Sequence, residues 1–274
     1  MPSRFEIDTQ LRPVAPGHFL GRIDRGWWVQ RGPNGGYVAA LLLRAATSLV
    51  ADPVRRPRSF TAHYLEPPAE GPVEVRAVVE RAGRGLSTVS VRMIQGEKTV
   101  ALATVALSVS RPGPSFAEQA RPEVPPPDRV PVGAGPTPIP MGQRFQTRPV
   151  LGEPFAGAAR AITGGWIRLQ DPAPIDEHLV VALCDAWPPA VFSRLETLAA
   201  VPTIDLTVHF RNNPDGLQAD DHCFVRFRTR FLAEGFLEED GEVWSPDGRL
   251  LALSRQLAAF FPAPDAAEGG ERRP

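Results

Sequence analysis

Two segments of this chain are apolar almost all round, and each is followed by runs in which apolar and polar residues alternate. The first is Tyr37-Val38-Ala39-Ala40-Leu41-Leu42-Leu43-Arg44-Ala45-Ala46. It predicts a helix without a solvent face, which has to be buried. Asn34-Gly35-Gly36 stands where its N-terminus falls. Strand-like runs follow at 58–65, 73–81, 86–93 and 99–110, parted by turn residues such as Gly83-Arg84-Gly85 and Gln95-Gly96. Their alternation predicts an antiparallel sheet.

The same order returns later. Pro174-Ile175-Asp176 precedes the apolar run 177–187, and Pro188-Pro189 follows closely enough to stop a helix. Asp176 is placed to cap it, because a carboxylate accepts hydrogen bonds from the free amides of a first turn. Strand-like runs recur at 202–211, 222–231, 236–244 and 249–261, with Asp247-Gly248 as a tight hairpin turn. Between the two sets lies a proline-rich stretch from Arg111 to Met141. Proline has no amide hydrogen to give a sheet or helix, so this stretch predicts an extended surface linker. The chain reads as an internal duplication: one unit over 1–111, a linker over 112–142, a second unit over 143–262, and a disordered tail over 263–274.

Composition narrows the classes of partner. A formal net charge of -1 over 274 residues gives no general pull toward nucleic acid or an anionic membrane. No stretch approaches the roughly 18 uninterrupted apolar residues of a membrane span, and the first ten residues lack an apolar core, so a cytoplasmic protein is expected. Cys184 and Cys223 lack the paired spacing of a zinc or redox motif and read as reduced packing residues. His18, His63, His178, His209 and His222 show no metal-ligand spacing, so neither metal nor cofactor is expected.

Two polar residues interrupt strand-like stretches near the end of the chain. Asp205 sits in Thr203-Ile204-Asp205-Leu206-Thr207-Val208-His209-Phe210, and Gln256 in Leu250-Leu251-Ala252-Leu253-Ser254-Arg255-Gln256-Leu257. Burying such a group without a partner costs about 1–3 kcal/mol, and more for a charge. Two of them facing one pocket would point to chemistry; two facing solvent would point to none, and alternation leaves both readings open. The duplication offers an internal comparison, because the first-unit stretch 100–106 aligns with 251–257 and places Val105 where Gln256 stands. A requirement of the fold would recur in both units. Gln256 in one unit only favours a purpose specific to a site.

Five stretches in shared order resemble the acyl-CoA thioesterase II family and its thioesterase-like relatives, over nearly the whole chain outside the linker and tail. They are 34–40 (Asn34-Gly35-Gly36-Tyr37-Val38-Ala39-Ala40), 63–68, 185–192, 203–210 and 245–256. The resemblance implies an α+β double hot dog, two antiparallel sheets each wrapped around a central apolar helix. It implies an enzyme that hydrolyses acyl-CoA to free acid and CoA without a cofactor. It also implies a homo-oligomer, since hot dog sheet edges commonly pair between copies.

In that family an aspartate, a hydroxyl residue and a glutamine of the second unit hold and activate the attacking water. Carried over, Asp205 is the general base and Gln256 a positioning group. The hydroxyl falls on Thr229, or the position falls on Arg230 if the strand is shifted by one. Asn34, Gly35 and Gly36 are the expected substrate-binding donors, because unpaired amides at a helix N-terminus carry partial positive charge. A plainer reading has Asn34 only capping the helix and the glycines only relieving crowding. Familiar members carry histidines early on the strand that here reads Arg58-Ser59-Phe60-Thr61-Ala62, so that imidazole chemistry is missing. Arg58 reads as solvated rather than phosphate-binding, and Asp185 as hydrogen-bonded structure outside the site. Two other functions fit the same features: acyl-CoA binding without hydrolysis, and a hydratase using Asp205 and His209 from one strand face.

Overall fold

The computed structural model describes residues 1–133 and 138–263; positions 134–137 of the expected linker, and the expected disordered tail beyond Ala263, lie outside the described residues. The first half contains α1 (Arg4–Asp8), β1 (Arg12–Ala15), β2 (His18–Ile23), α2 (Gly35–Val50), β3 (Arg56–Tyr64), β4 (Gly71–Ala82), β5 (Leu86–Gln95) and β6 (Lys98–Ser108). The second contains β7 (Phe145–Leu151), β8 (Ala161–Leu169), α3 (Glu177–Leu183), β9 (Ala199–Ala200), β10 (Thr203–Phe210), β11 (Cys223–Thr229), β12 (Leu232–Ala233), β13 (Phe236–Trp244), β14 (Leu250–Ala259) and β15 (Phe261–Pro262).

The strand pairs β1–β2 and β7–β8 add to the expected set. In β8 the pair Gly164-Gly165 reads in sequence as a break, yet it lies inside the sheet. A Cβ on Gly165 would come 2.3 Å from the Arg148 carbonyl oxygen, so the close approach of β7 requires glycine there.

The expectation of two separate sheets needs correction. β1 to β14, apart from β9, form one 13-stranded sheet in the order β1-β2-β4-β5-β6-β3-β10-β14-β13-β11-β8-β7, with β12 paired to β13. The join is β3 against β10, antiparallel, with Ala62 opposite Leu206 and Phe60 opposite Val208. Each half ends in a strand whose outer backbone groups would otherwise go unpaired, and joining the two edges satisfies both rows at once. One hydrophobic cluster accordingly spans both halves, from Leu41 and Phe60 to Val181 and Leu206.

The two helices differ in length, 16 residues in α2 and 7 in α3. The run expected as helix to 187 tightens after Leu183, where Asp185 N donates to the Ala182 carbonyl at 3.2 Å and Ala186 N to that of Leu183 at 3.4 Å. Asp176 caps α3 as expected, its carboxylate accepting from the Leu179 amide at 2.9 Å. The start of α2 packs on the end of α3: a Cβ on Gly36 would lie 2.4 Å from the Ala182 carbonyl oxygen. The described part of the linker lies along β7 and β8, taking a hydrogen bond from Trp166 Nε1 on the Pro125 carbonyl at 2.8 Å.

Candidate active site

The approach of the two helices brings Asp185 to the N-terminus of α2. Its Oδ2 accepts from the Gly36 amide at 3.0 Å and from Asn34 Nδ2 at 2.9 Å, while Asn34 Nδ2 also donates to the Asp185 carbonyl at 2.7 Å. The other end of the Asn34 side chain caps α2, its Oδ1 accepting from the Tyr37 amide at 3.0 Å. A carboxylate belongs at this place, since the first-turn amides of a helix are unpaired and partly positive. Burial nonetheless raises the Asp185 carboxyl to about 6, against the pull of Gly36, Gln256, Gly35 and Asn34, which hydrogen-bond its charged form. Asp185, Gly35 and Tyr64 are half-buried as whole residues. Tyr64 closes one side, its hydroxyl donating to the Gly35 carbonyl at 2.8 Å.

Gln256 forms the second wall. It is 6 % exposed and hydrogen-bonded at both ends: Oε1 accepts from Thr203 Oγ1 at 2.8 Å, and Nε2 donates to Glu239 Oε1 at 2.9 Å. The same amide favours the charged form of the Asp185 carboxyl. Glu239 is 3 % exposed, and its Oε2 accepts from the Ala190 amide at 2.5 Å. Burial, with Asp185 and Asp240 nearby, pushes the Glu239 carboxyl up to about 8, although Ala190 and Gln256 favour its charged form. Gln256 thus bonds the buried Glu239 carboxyl and acts on that of Asp185.

The structure brings four of the six expected site residues together: Asn34, Gly35, Gly36 and Gln256 meet around Asp185. The amides of Gly35 and Gly36, expected as open donors, are engaged by that carboxylate. Asp205 borders the cluster. A β-bulge lies between Thr203 and Asp205, and the Asp205 Oδ1 accepts from the amide of Leu257, the residue after Gln256, at 3.3 Å. Asp205 also acts electrostatically on Tyr64, as Asp185 does. Thr229 ends β11 with its hydroxyl buried and without a hydrogen-bond partner among the described residues. Arg230, its alternative, is exposed and paired with Asp240. Arg58 is half-buried and bonds Ser110 Oγ at 3.0 Å.

Two residues of the cluster were not in the expected site. Glu239 has a readable signal, because it shares the inward phase of Leu237 and Val243 on β13. Asp185 has none along the chain: its contact with Gly36 spans 149 positions. The expected hydrogen-bonded role is what the structure shows, with Asn34 and Gly36 as its partners. Among the described residues no group of three or more His, Cys, Asp and Glu side chains is arranged to hold a metal ion. No helix among them is long and apolar enough to cross a membrane.

Comparison with known proteins agrees with this architecture. Residues 24–108 match the acyl-CoA thioesterase N-terminal domain family, and residues 118–260 the acyl-CoA thioesterase C-terminal domain family. A hot dog-fold protein of Alicyclobacillus acidocaldarius is 31 % identical, covers 95 % of this chain and 98 % of its own, and superposes with a TM-score of 0.87. An acyl-CoA thioesterase II of Mycobacterium marinum shares the fold at 20 % identity, with 94 % and 99 % covered and a TM-score of 0.76. An uncharacterized protein of Mycobacterium tuberculosis is 27 % identical over 297 residues, 94 % of this chain and 98 % of its own. With both domain families matched in order across a hot dog frame, the chain belongs to the acyl-CoA thioesterase family.

Proposed function

We propose that this protein hydrolyses the thioester of acyl-CoA to free acid and CoA at the cluster around Gln256. The observation that carries the reading is Gln256 itself, a buried amide bonded at both ends that holds the Glu239 carboxyl and acts on that of Asp185 at the N-terminus of α2. Water is a poor nucleophile until a base accepts its proton. Asp205 takes that role: it is partly solvent-accessible, and its Oδ1 accepts from the amide of Leu257, the residue after Gln256. Its carboxylate accepts the proton as the water oxygen attacks the thioester carbon. The tetrahedral intermediate then collapses, the carbon–sulfur bond breaks, and the proton passes to the CoA thiolate. Gln256 and the unpartnered Thr229 hydroxyl position water and substrate. Asn34, Gly35 and Gly36 bind the thioester oxygen, which competes with Asp185 for their donors.

One observation favours a second base. Gln256 favours the charged form of Asp185, and a carboxyl raised to about 6 is a stronger proton acceptor than an ordinary aspartate. The same reading takes each half as a hot dog with its strands around α2 or α3, in a cytoplasmic, self-associating enzyme that needs no cofactor.

The deciding experiment measures thiol release from short, medium and long acyl-CoAs by wild-type, Asp205→Asn and Asp185→Asn proteins. Asp205→Asn is expected to lower kcat by about 100-fold or more, the low end of what a general base contributes. A loss confined to Asp185→Asn transfers the base to Asp185. Acyl-CoA bound by the wild type without thiol release from any chain length leaves a binding protein and ends the enzyme reading.

A further inference from the structure

Gln256 is useful only if its NH2 end faces Asp185, and its immediate partners do not all enforce that. Thr203 contributes a hydroxyl, which donates or accepts and so fits either end of an amide. Glu239 discriminates. In its ionised form, present above about pH 8, its Oε2 is held by the Ala190 amide, which can only donate, and its Oε1 accepts from Gln256 Nε2. The polarity therefore starts at the backbone of the 3-10 turn Ala190–Ser193 and passes through Glu239 to Gln256 and on to Asp185. A carboxyl is not what the fold needs at this place, because Val89 holds the matching position opposite Val105 in the first half. Buried polar pairs are often no more stable than apolar residues of the same size, so stability alone does not account for Glu239. Thr229, beyond the Arg228–Asp240 pair in the β11–β13 register, lies on the other side of Glu239 with its buried hydroxyl open.

We propose that Glu239 is a positioning residue of the hydrolytic site, fixing the Gln256 amide with its NH2 end toward Asp185. The proposal rests on the thioesterase reading and adds a residue to it. In Glu239→Gln the new side chain must still accept from Ala190, so its NH2 group faces Gln256. Two NH2 groups cannot bond each other, and Gln256 turns over to present its oxygen to Asp185.

The test measures, at about pH 9 where Glu239 is ionised, kcat and KM for acyl-CoA hydrolysis together with the side-chain NH2 NMR signal of Gln256, identified by its loss in Gln256→Ala. Glu239→Gln is expected to lower kcat by about 10- to 100-fold, as misplacement of a positioning group does, with KM within about twofold and the Gln256 signal moved. A wild-type kcat, or a Gln256 signal that stays in place, overturns the proposal. Should Glu239→Gln fail to fold, the exchange E239Q/Q256E keeps an amide–carboxyl pair in reversed order. It is expected to fold with kcat as low, and wild-type kcat there also overturns the proposal. If the wild type releases no thiol, the hydrolysis reading falls, and the amide signal still decides whether Glu239 orients Gln256.

Discussion

Across the inner face of the first half, Phe60, Val105 and Val89 lie side by side on β3, β6 and β5; across the second, Leu206, Gln256 and Glu239 take the matching places on β10, β14 and β13. All six are buried. The frame is the same and one row is apolar, which shows that the architecture closes without polar groups there. The desolvation of an amide and a carboxyl in the other row is therefore a cost borne by the second half alone. The helix starts differ in the same sense. α3 is capped by its own Asp176, whereas α2 has its first amides held by Asp185 from the opposite half. At the start of α2 both halves contribute to one cluster.

Making the two rows alike tests the contrast most severely. The double substitution Glu239→Val with Gln256→Val should lower thiol release by about 1,000-fold, within the range for loss of water activation and positioning. Its melting temperature should equal or exceed that of the wild type, because both partners of the buried pair leave together. A double variant that unfolds would show the polar row to be structural instead. Next in size is the helix contact that assembles the site. Gly36→Ala drives a Cβ against the Ala182 carbonyl and is expected to cost about 2–3 kcal/mol in denaturant unfolding, at the upper end for overpacking. A neutral result would mean that the helices separate easily and that Asp185 is not held.

The mildest effect is on pH dependence. Glu239 moves from an ordinary value near 4.5 to about 8 in the folded protein, so folding favours its protonated form. That contribution is full below about pH 4.5 and is lost as pH rises through about 8; Asp185, raised to about 6, adds a loss of the same sign at lower pH. Urea midpoints taken between about pH 5 and about pH 9 should fall more steeply for the wild type than for the double valine variant. Equal slopes would show that Glu239 ionises freely in the folded state.

How far the site was legible depends on the residue. Gln256 was legible, because its phase on β14 matches the buried Ser254 and Ala258, and the aligned Val105 marks it as peculiar to one half. Asp205 has the opposite phase to Leu206 and Val208 on β10, so alternation sets it away from Gln256, and the bulge between Thr203 and Asp205 leaves no mark in the pattern. Glu239 shares the inward phase of Leu237 and Val243, a signal that its charged neighbours Glu238 and Asp240 dilute. β8 was hidden by Gly164 and Gly165, which the sheet uses where strands approach most closely.

By itself the sequence determined the elements and their repetition: two apolar helices, the alternating strands that follow each, and a proline stretch between them. These are local properties, set by the period of side chains along a strand or helix and by where proline withholds an amide. Only the tertiary structure decided that β3 and β10 join the halves into one sheet and that Asp185 crosses to the start of α2. It also decided that Glu239 and Gln256 share a hydrogen bond. Each of these depends on which edge meets which and how closely two backbones approach, and a pattern read along one chain carries no term for either.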